Sequence, residues 1–202
     1  RRREYKRCCI RGRRLIVSEI ISLNTKKSKV IFQDGESLAL YNGEIRRLDI
    51  AVGKEIDEEE YYTTIYPVLK KRAFARLMHI LEKSFKSEND IIKKLKLSFY
   101  PEEAIKEAIE KAKKFGYIND DRYAERYINT YKDKYSKMKL KYKLLEKGIN
   151  KEIIDNALES FTVDEEPMIK KLLNKKHYFE TEEPDKKQKI IASIMRQGFK
   201  YQ

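Results

Sequence analysis

The sequence predicts a mainly α fold: tandem three-helix repeats in an elongated array, preceded by a small N-terminal β-hairpin module. Three observations predict it. The first is a repeated segment. Leu140-Lys-Tyr-Lys-Leu-Leu-Glu-Lys-Gly-Ile149 returns fifty residues later as Ile190-Ile-Ala-Ser-Ile-Met-Arg-Gln-Gly-Phe199, and a weaker copy (Ile91, Leu95, Phe99, Tyr100) stands forty-nine residues earlier. Helical spacing inside a period near fifty marks an array of small helical units. Such units bury an apolar face only by stacking, which builds a long surface suited to a long partner. The second observation is punctuation: beyond Asp57, capping residues, apolar stripes and terminal Gly or aromatic residues recur. The third is composition. With 39% charged and 41% hydrophobic residues, seven Gly and four Pro, the chain has enough apolar surface to fold and too much charge for one thick core. Thin helical assemblies have this balance because much of each helix stays wet.

Residues 1–14 carry eight Lys/Arg and one Glu, a charge of +7, with neither apolar periodicity nor caps. They are either a nucleic-acid-binding basic arm or a non-native extension. Residues 15–67 form the N-terminal module. Val30-Ile-Phe32, Asp34-Gly35, Ser37-Leu-Ala-Leu-Tyr41 and Asn42-Gly43 alternate β-prone runs with two tight-turn signals. Asp57-Glu-Glu-Glu60 opens a helix with an acidic first turn, and Pro67 is expected to break it and start another running to about Lys83.

The first helical repeat spans 68–118. Ser87-Glu-Asn-Asp90 resembles a capping box, Pro101 starts a helix, and Ile105, Ala108, Ile109, Ala112 and Phe115 form a stripe that ends at Gly116. The second spans 119–160, with Asn119-Asp-Asp121 and Asn150 as caps. The third spans 161–202, opens with Asp164-Glu-Glu-Pro167 and has its last periodic residues at Gly198. As written it holds two helices, its third apparently missing.

Gly116-Tyr-Ile-Asn-Asp-Asp-Arg-Tyr-Ala-Glu-Arg-Tyr127, with Leu144-Leu-Glu-Lys-Gly-Ile149 and Arg196-Gln-Gly-Phe199, resembles the RecX family of bacterial recombination regulators. Tyr41-Asn-Gly-Glu-Ile45 and Leu69-Lys-Lys-Arg-Ala-Phe-Ala75 fit the same family, so the resemblance covers about residues 15–202. It implies three tandem three-helix repeats and a protein that lies in the groove of the RecA recombinase–DNA filament. There it would inhibit the ATPase, strand exchange and coprotease activities. It also implies weak, salt-sensitive affinity for single- or double-stranded DNA, no enzymatic activity and no cofactor. The chain departs from the family at Tyr131-Lys-Asp-Lys-Tyr-Ser-Lys137, where relatives commonly carry Gly and Arg. Lysine keeps the charge there and loses the planar bidentate fork of arginine.

The net charge of +13 is accounted for by two segments: residues 1–14, and residues 131–151 with eight Lys and two acids, a charge of +6. Within the second, Lys139, Lys143 and Lys147 fall within about 80° on a helical wheel, beside Lys132, Lys134 and Lys137 in the preceding link. A single-sign stripe suits a polyanion or an acidic protein groove, and the alternative is an ordinary solvated face. Tyr123, Tyr127, Tyr131 and Tyr135 recur every fourth residue down one helix face. They are either a stacking platform for bases or packing residues with their hydroxyls in water. Packing suits Tyr123 and Tyr127, whereas Tyr131 and Tyr135 adjoin the lysines as candidate contacts. Arg122 and Arg126, one turn apart, either meet a partner or pair within their helix.

Catalysis finds no support. His79 and His177 are isolated, Asp120-Asp121 sit where a helix cap belongs, and no zinc spacing, phosphate loop or nucleophile elbow appears. Metal sites and cofactors are therefore not expected. No apolar run approaches the ~20 residues needed to span a bilayer, and adjacent Cys8 and Cys9 make no disulfide framework. A cytoplasmic monomer that regulates a recombinase filament is the expectation. The competing reading is a sequence-independent DNA-binding architectural protein that works mainly through the lysine stripe.

Overall fold

The structure, a computed structural model, describes residues 14–161 and 163–199. The basic segment 1–14 and the Cys8-Cys9 pair lie outside the described residues, apart from Arg14, which pairs with Glu55 at 2.9 Å. The chain divides into two compact units, one reaching Ile118 and the other comprising residues 119–202 together with Ser87–Asp90.

The first unit begins with four strands: β1 (Leu15–Asn24), β2 (Lys27–Phe32), β3 (Ser37–Tyr41) and β4 (Glu55–Ile56). They form one antiparallel sheet in the order β3-β2-β1-β4. The expected hairpin is thus part of a larger sheet. β1 turns into β2 through Thr25-Lys26, where the Lys26 N–H donates to Asn24 Oδ1 at 3.0 Å. β2 and β3 are joined through Gly35 at φ +86°, a conformation that glycine adopts without steric cost. Val30 and Phe32 alternate inward on β2, as a strand with one buried face requires.

Asn42-Gly43 is not the second hairpin turn. Neither residue has the positive φ such a turn needs, and both belong to α1 (Asn42–Arg47). A carboxylate three residues into the segment decides the conformation: Glu44 Oε2 accepts from the Tyr41 N–H at 2.7 Å and from Arg72 Nη1 at 2.7 Å. Pro67 does not stop its helix either. Helix α2 (Glu58–Glu60), capped by the Asp57 side chain, passes through a π-helical turn at Tyr61–Ile65 into α3 (Tyr66–Lys83). Proline has no N–H to give the carbonyl four residues back, and here the helix widens to accommodate the loss.

Helix α4 (Glu88–Lys96), from Ile91 onward, and α5 (Glu102–Lys114) complete this unit's helical layer. Leu69, Ala73, Leu77 and Ile80 of α3 share a core with Ile105, Ala108, Ile109 and Ala112 of α5 and with Leu40 and Ile56 of the sheet. Each fully buried Leu or Ile contributes about 1.5–3 kcal/mol. Gly116, at φ +71°, ends α5 as a Schellman motif: its N–H donates to the Lys113 carbonyl and that of Tyr117 to the Ala112 carbonyl, both at 2.9 Å.

The second unit contains α6 (Asp120–Tyr131), α7 (Lys137–Glu146), α8 (Lys151–Glu159), α9 (Glu166–Lys175) and α10 (Pro184–Met195). Asn119 caps α6 by accepting from Arg122 N at 2.9 Å, and Asn150 caps α8 by accepting from Glu152 N at 3.0 Å. Tyr123, Ala124 and Ile128 pack with Leu140, Leu144, Ile149, Ile154, Ala157 and Leu158. The last pair is less covered: α9 contains no buried residue and α10 buries only Ile194.

Candidate partner-binding face

The ten residues that the sequence singles out gather on α6, α7 and the link between them, and the fold uses them unequally. The tyrosines form a ladder along α6 that continues to Tyr135 in the link beyond it. Ring centroids are 6.2 Å apart for Tyr123–Tyr127, 4.6 Å for Tyr127–Tyr131 and 5.3 Å for Tyr131–Tyr135. Tyr123 is buried, and the other three are half-buried against the same core. Burial, with the nearby Asp90 charge next, pushes the Tyr123 hydroxyl up to about 12, and burial likewise raises Tyr127. The rings pack on one another along the ladder, and Tyr131 and Tyr135 take part in it while remaining partly open.

The lysines divide into two sets. Lys147 Nζ reaches Asp90 Oδ2 at 3.1 Å, and Lys143 Nζ donates to Glu146 Oε2 at 2.7 Å. The Glu146 bond raises the Lys143 pKa. Lys139 Nζ lies 4.6 Å from the centre of the Tyr135 ring and Lys132 Nζ 5.9 Å from that of Phe161, both cation–π arrangements. Lys141, on the same helix, pairs with Asp155. The stripe of Lys139, Lys143 and Lys147 is therefore half-buried and partnered. Lys134 and Lys137 are exposed and make no ion pair among the described residues. Arg122 and Arg126 are exposed one turn apart on α6.

What emerges from α7 instead is apolar. Leu140 and Leu144 are fully buried, while Met138 is 65% exposed, Tyr142 63% and Leu145 44%. These three are spaced i, i+4 and i+7, one stripe of the helix within about 60°. The same helical wheel separates Met138, Tyr142 and Leu145 from the lysines. It does not reveal which of the two faces is left open, because the acids that engage Lys147 and Lys141 come from Asp90 and Asp155, distant in sequence. Among the described residues no group of three or more His, Cys, Asp or Glu is placed to hold a metal ion, and no helix is long and apolar enough to cross a membrane.

Known proteins resemble this chain. A family model described as the second three-helix domain of RecX matches residues 119–158, the part of the second unit that carries the tyrosine ladder and α7. Regulatory protein RecX of Caldanaerobacter subterraneus subsp. tengcongensis is 32% identical over 166 residues, covering 80% of this chain and 84% of the relative. Regulatory protein RecX of Clostridium acetobutylicum is 30% identical over 194 residues, covering 92% and 91%. A crystal structure of a RecX regulatory protein superposes with a TM-score of 0.63 at 24% identity over 92% of this chain and 95% of that one, a likeness of fold. The RecX structure from Lactobacillus salivarius has a TM-score of 0.58 at 26% identity over 67% of this chain and 91% of that one. On identity and coverage together, the chain belongs to the RecX family of regulatory proteins.

Proposed function

We propose that this protein binds the RecA recombinase–DNA filament in its groove and inhibits its ATPase, strand exchange and coprotease activities. It would act in the cytoplasm as a monomer and without a cofactor. Family membership over most of the chain carries this reading. The second unit is consistent with it: residues 131–151 concentrate a charge of +6 around a helix whose outward face is apolar. A filament groove presents protein and phosphate together, and such a surface offers something to each.

The test is RecA-dependent, single-strand-stimulated ATP hydrolysis measured with increasing amounts of this protein. The expected result is a dose-dependent fall in rate at substoichiometric to stoichiometric protein. Unchanged hydrolysis at saturating protein would reject inhibition. The second reading, sequence-independent DNA binding, is favoured by the exposed Lys134 and Lys137. It requires tight binding to bare DNA and no preference for the filament.

A further inference from the structure

The outward face of α7 is largely open, with Met138 Cβ lying beside the Gly198 turn. Leu140 and Leu144 supply that helix's core contacts at 0% exposure, while Met138, Tyr142 and Leu145 point away at 65%, 63% and 44%. An α7 that needed only to fold could carry polar groups there, as α4 does. Forty-nine residues earlier the corresponding positions of α4 are Asn89, Lys93 and Lys96, and fifty residues later those of α10 are Gln188, Ala192 and Met195. The first repeat therefore forms without an apolar stripe at this place, and the third carries a shorter one in Ala192 and Met195.

The surroundings define what would cover it. On the helical wheel Lys141 and then Lys137 flank one side of the stripe and Lys139 the other, and Lys134 lies in the link that leads into α7. Lys134 and Lys137 are exposed and without ion pairs among the described residues. A nucleic-acid backbone would use the lysines and leave the thioether and aliphatic side chains unmatched. A protein segment with apolar side chains flanked by carboxylates matches both. Two turns of helix separate Met138 from Leu145, about 10 Å of axial rise, the span over which an amphipathic partner helix presents its own i, i+4, i+7 anchors.

We infer that the Met138–Tyr142–Leu145 stripe of α7 is the docking site for an acidic, apolar-faced helix of the protein component of the filament, with Lys134 and Lys137 meeting its carboxylates. This rests on the proposed filament binding and assigns the contact to protein, not DNA.

The experiment compares wild type with the triple variant Met138→Gln, Tyr142→Gln, Leu145→Gln. Its probes are RecA filaments assembled on single-stranded DNA with a slowly hydrolysed ATP analogue, and the same DNA bare. The expected result is at least about tenfold weaker affinity of the variant for filaments, with bare-DNA affinity within twofold of wild type and the helical circular-dichroism signal kept. If wild type binds filaments and the folded variant binds them equally well, the docking assignment is overturned and filament binding stands. If wild type fails to bind filaments, both readings fall. Loss of filament and bare-DNA binding together would make the stripe a nucleic-acid surface and overturn the assignment. Should the triple variant not fold, Tyr142→Gln alone gives the same decision from its larger effect on filament than on DNA affinity.

Discussion

The Ser136 hydroxyl donates to the Gln197 carbonyl at 2.8 Å, across 61 residues of sequence. One repeat earlier the Ser87 hydroxyl donates to the Lys147 carbonyl at 2.9 Å, across 60. Both serines are fully buried, and both also cap a helix by accepting a backbone N–H, from Lys139 at 3.2 Å and from Asp90 at 3.3 Å. An acid of the following repeat adds a second cap: Glu165 Oε1 accepts from Lys137 N at 2.7 Å, and Asp120 Oδ1 accepts from Glu88 N at 3.0 Å. Each carbonyl so held precedes a left-handed glycine, Gly198 or Gly148. The same serine-to-carbonyl latch thus occurs twice, one sequence period apart.

Replacing Ser136 or Ser87 with Ala should therefore remove a cap and leave a buried carbonyl without its donor. The expected loss is about 1–2 kcal/mol for each. Ser160, whose exposed hydroxyl only bonds back to the Asn156 carbonyl at 3.1 Å, supplies the comparison. Ser160→Ala should change stability by less than about 0.5 kcal/mol. Urea unfolding followed by circular dichroism measures all three, and equal effects would deny the latch its role.

Gly148 and Gly116 separate space from strain. Both have positive φ, +78° and +71°. A Cβ at Gly148 would lie 2.5 Å from Asn89 Nδ2 and 2.7 Å from Asn89 Cβ, whereas one at Gly116 meets nothing within 4 Å. Gly116→Ala should cost about 1–2 kcal/mol, the left-handed term alone. Gly148→Ala should cost more, by about 1–3 kcal/mol for the added overlap. Shortening Asn89 to Gly in the Gly148→Ala background should recover part of that excess. Matching losses at the two glycines would show that Asn89 simply moves aside.

Local signals were legible and distant ones were not. Asn119, Asn150 and Gly116 act within four residues of themselves, so their cap and stop roles follow from sequence alone. Asn42-Gly43 misleads because Glu44, two residues past Asn42, closes a capping box with Tyr41, and Arg72, from a different element, holds that carboxylate. The pairing of Leu15 with Ile56 that makes β4 an edge strand spans forty-one residues and leaves no local trace. The site follows the same rule. The apolar and basic faces of α7 are visible on a helical wheel, while the partners of Lys147 and Lys141 belong to the tertiary fold.

The two classes of lysine should respond differently to mutation. Lys147 faces Asp90, whose side chain is only 18% exposed, so Lys147→Glu sets two carboxylates together and should cost about 1 kcal/mol or more. Lys134→Ala and Lys137→Ala should each stay within about 0.5 kcal/mol of wild type. In binding the order reverses: where Lys134 and Lys137 meet carboxylates of the filament protein, each replacement should weaken filament affinity and flatten its salt dependence, with affinity for bare single-stranded DNA little changed. Stability by urea and affinity across a salt series read the two effects independently. A stable Lys147→Glu protein with a reduced salt slope would return the half-buried lysine stripe to the partner surface.

Alkali should expose the tyrosine ladder as packing. An unfolded tyrosine ionises near 10, and burial holds Tyr123 up to about 12. Tyr61 and Tyr66 in the first unit are raised as well, first by burial. Between the unfolded and folded values the native state keeps protons that the unfolded chain has lost, so stability falls as pH rises. The contribution is complete below pH 10 and declines through about 12 for Tyr123. Phenolate absorbance should consequently appear in two stages: exposed tyrosines first, without loss of helical signal, then the buried ones together with unfolding. Tyr123→Phe removes one of the groups that drive the second stage and should make the decline of stability above pH 10 shallower. A base titration in which Tyr123 ionises near 10 with the helices intact would mean that its ring is open to water and would reject its packing role.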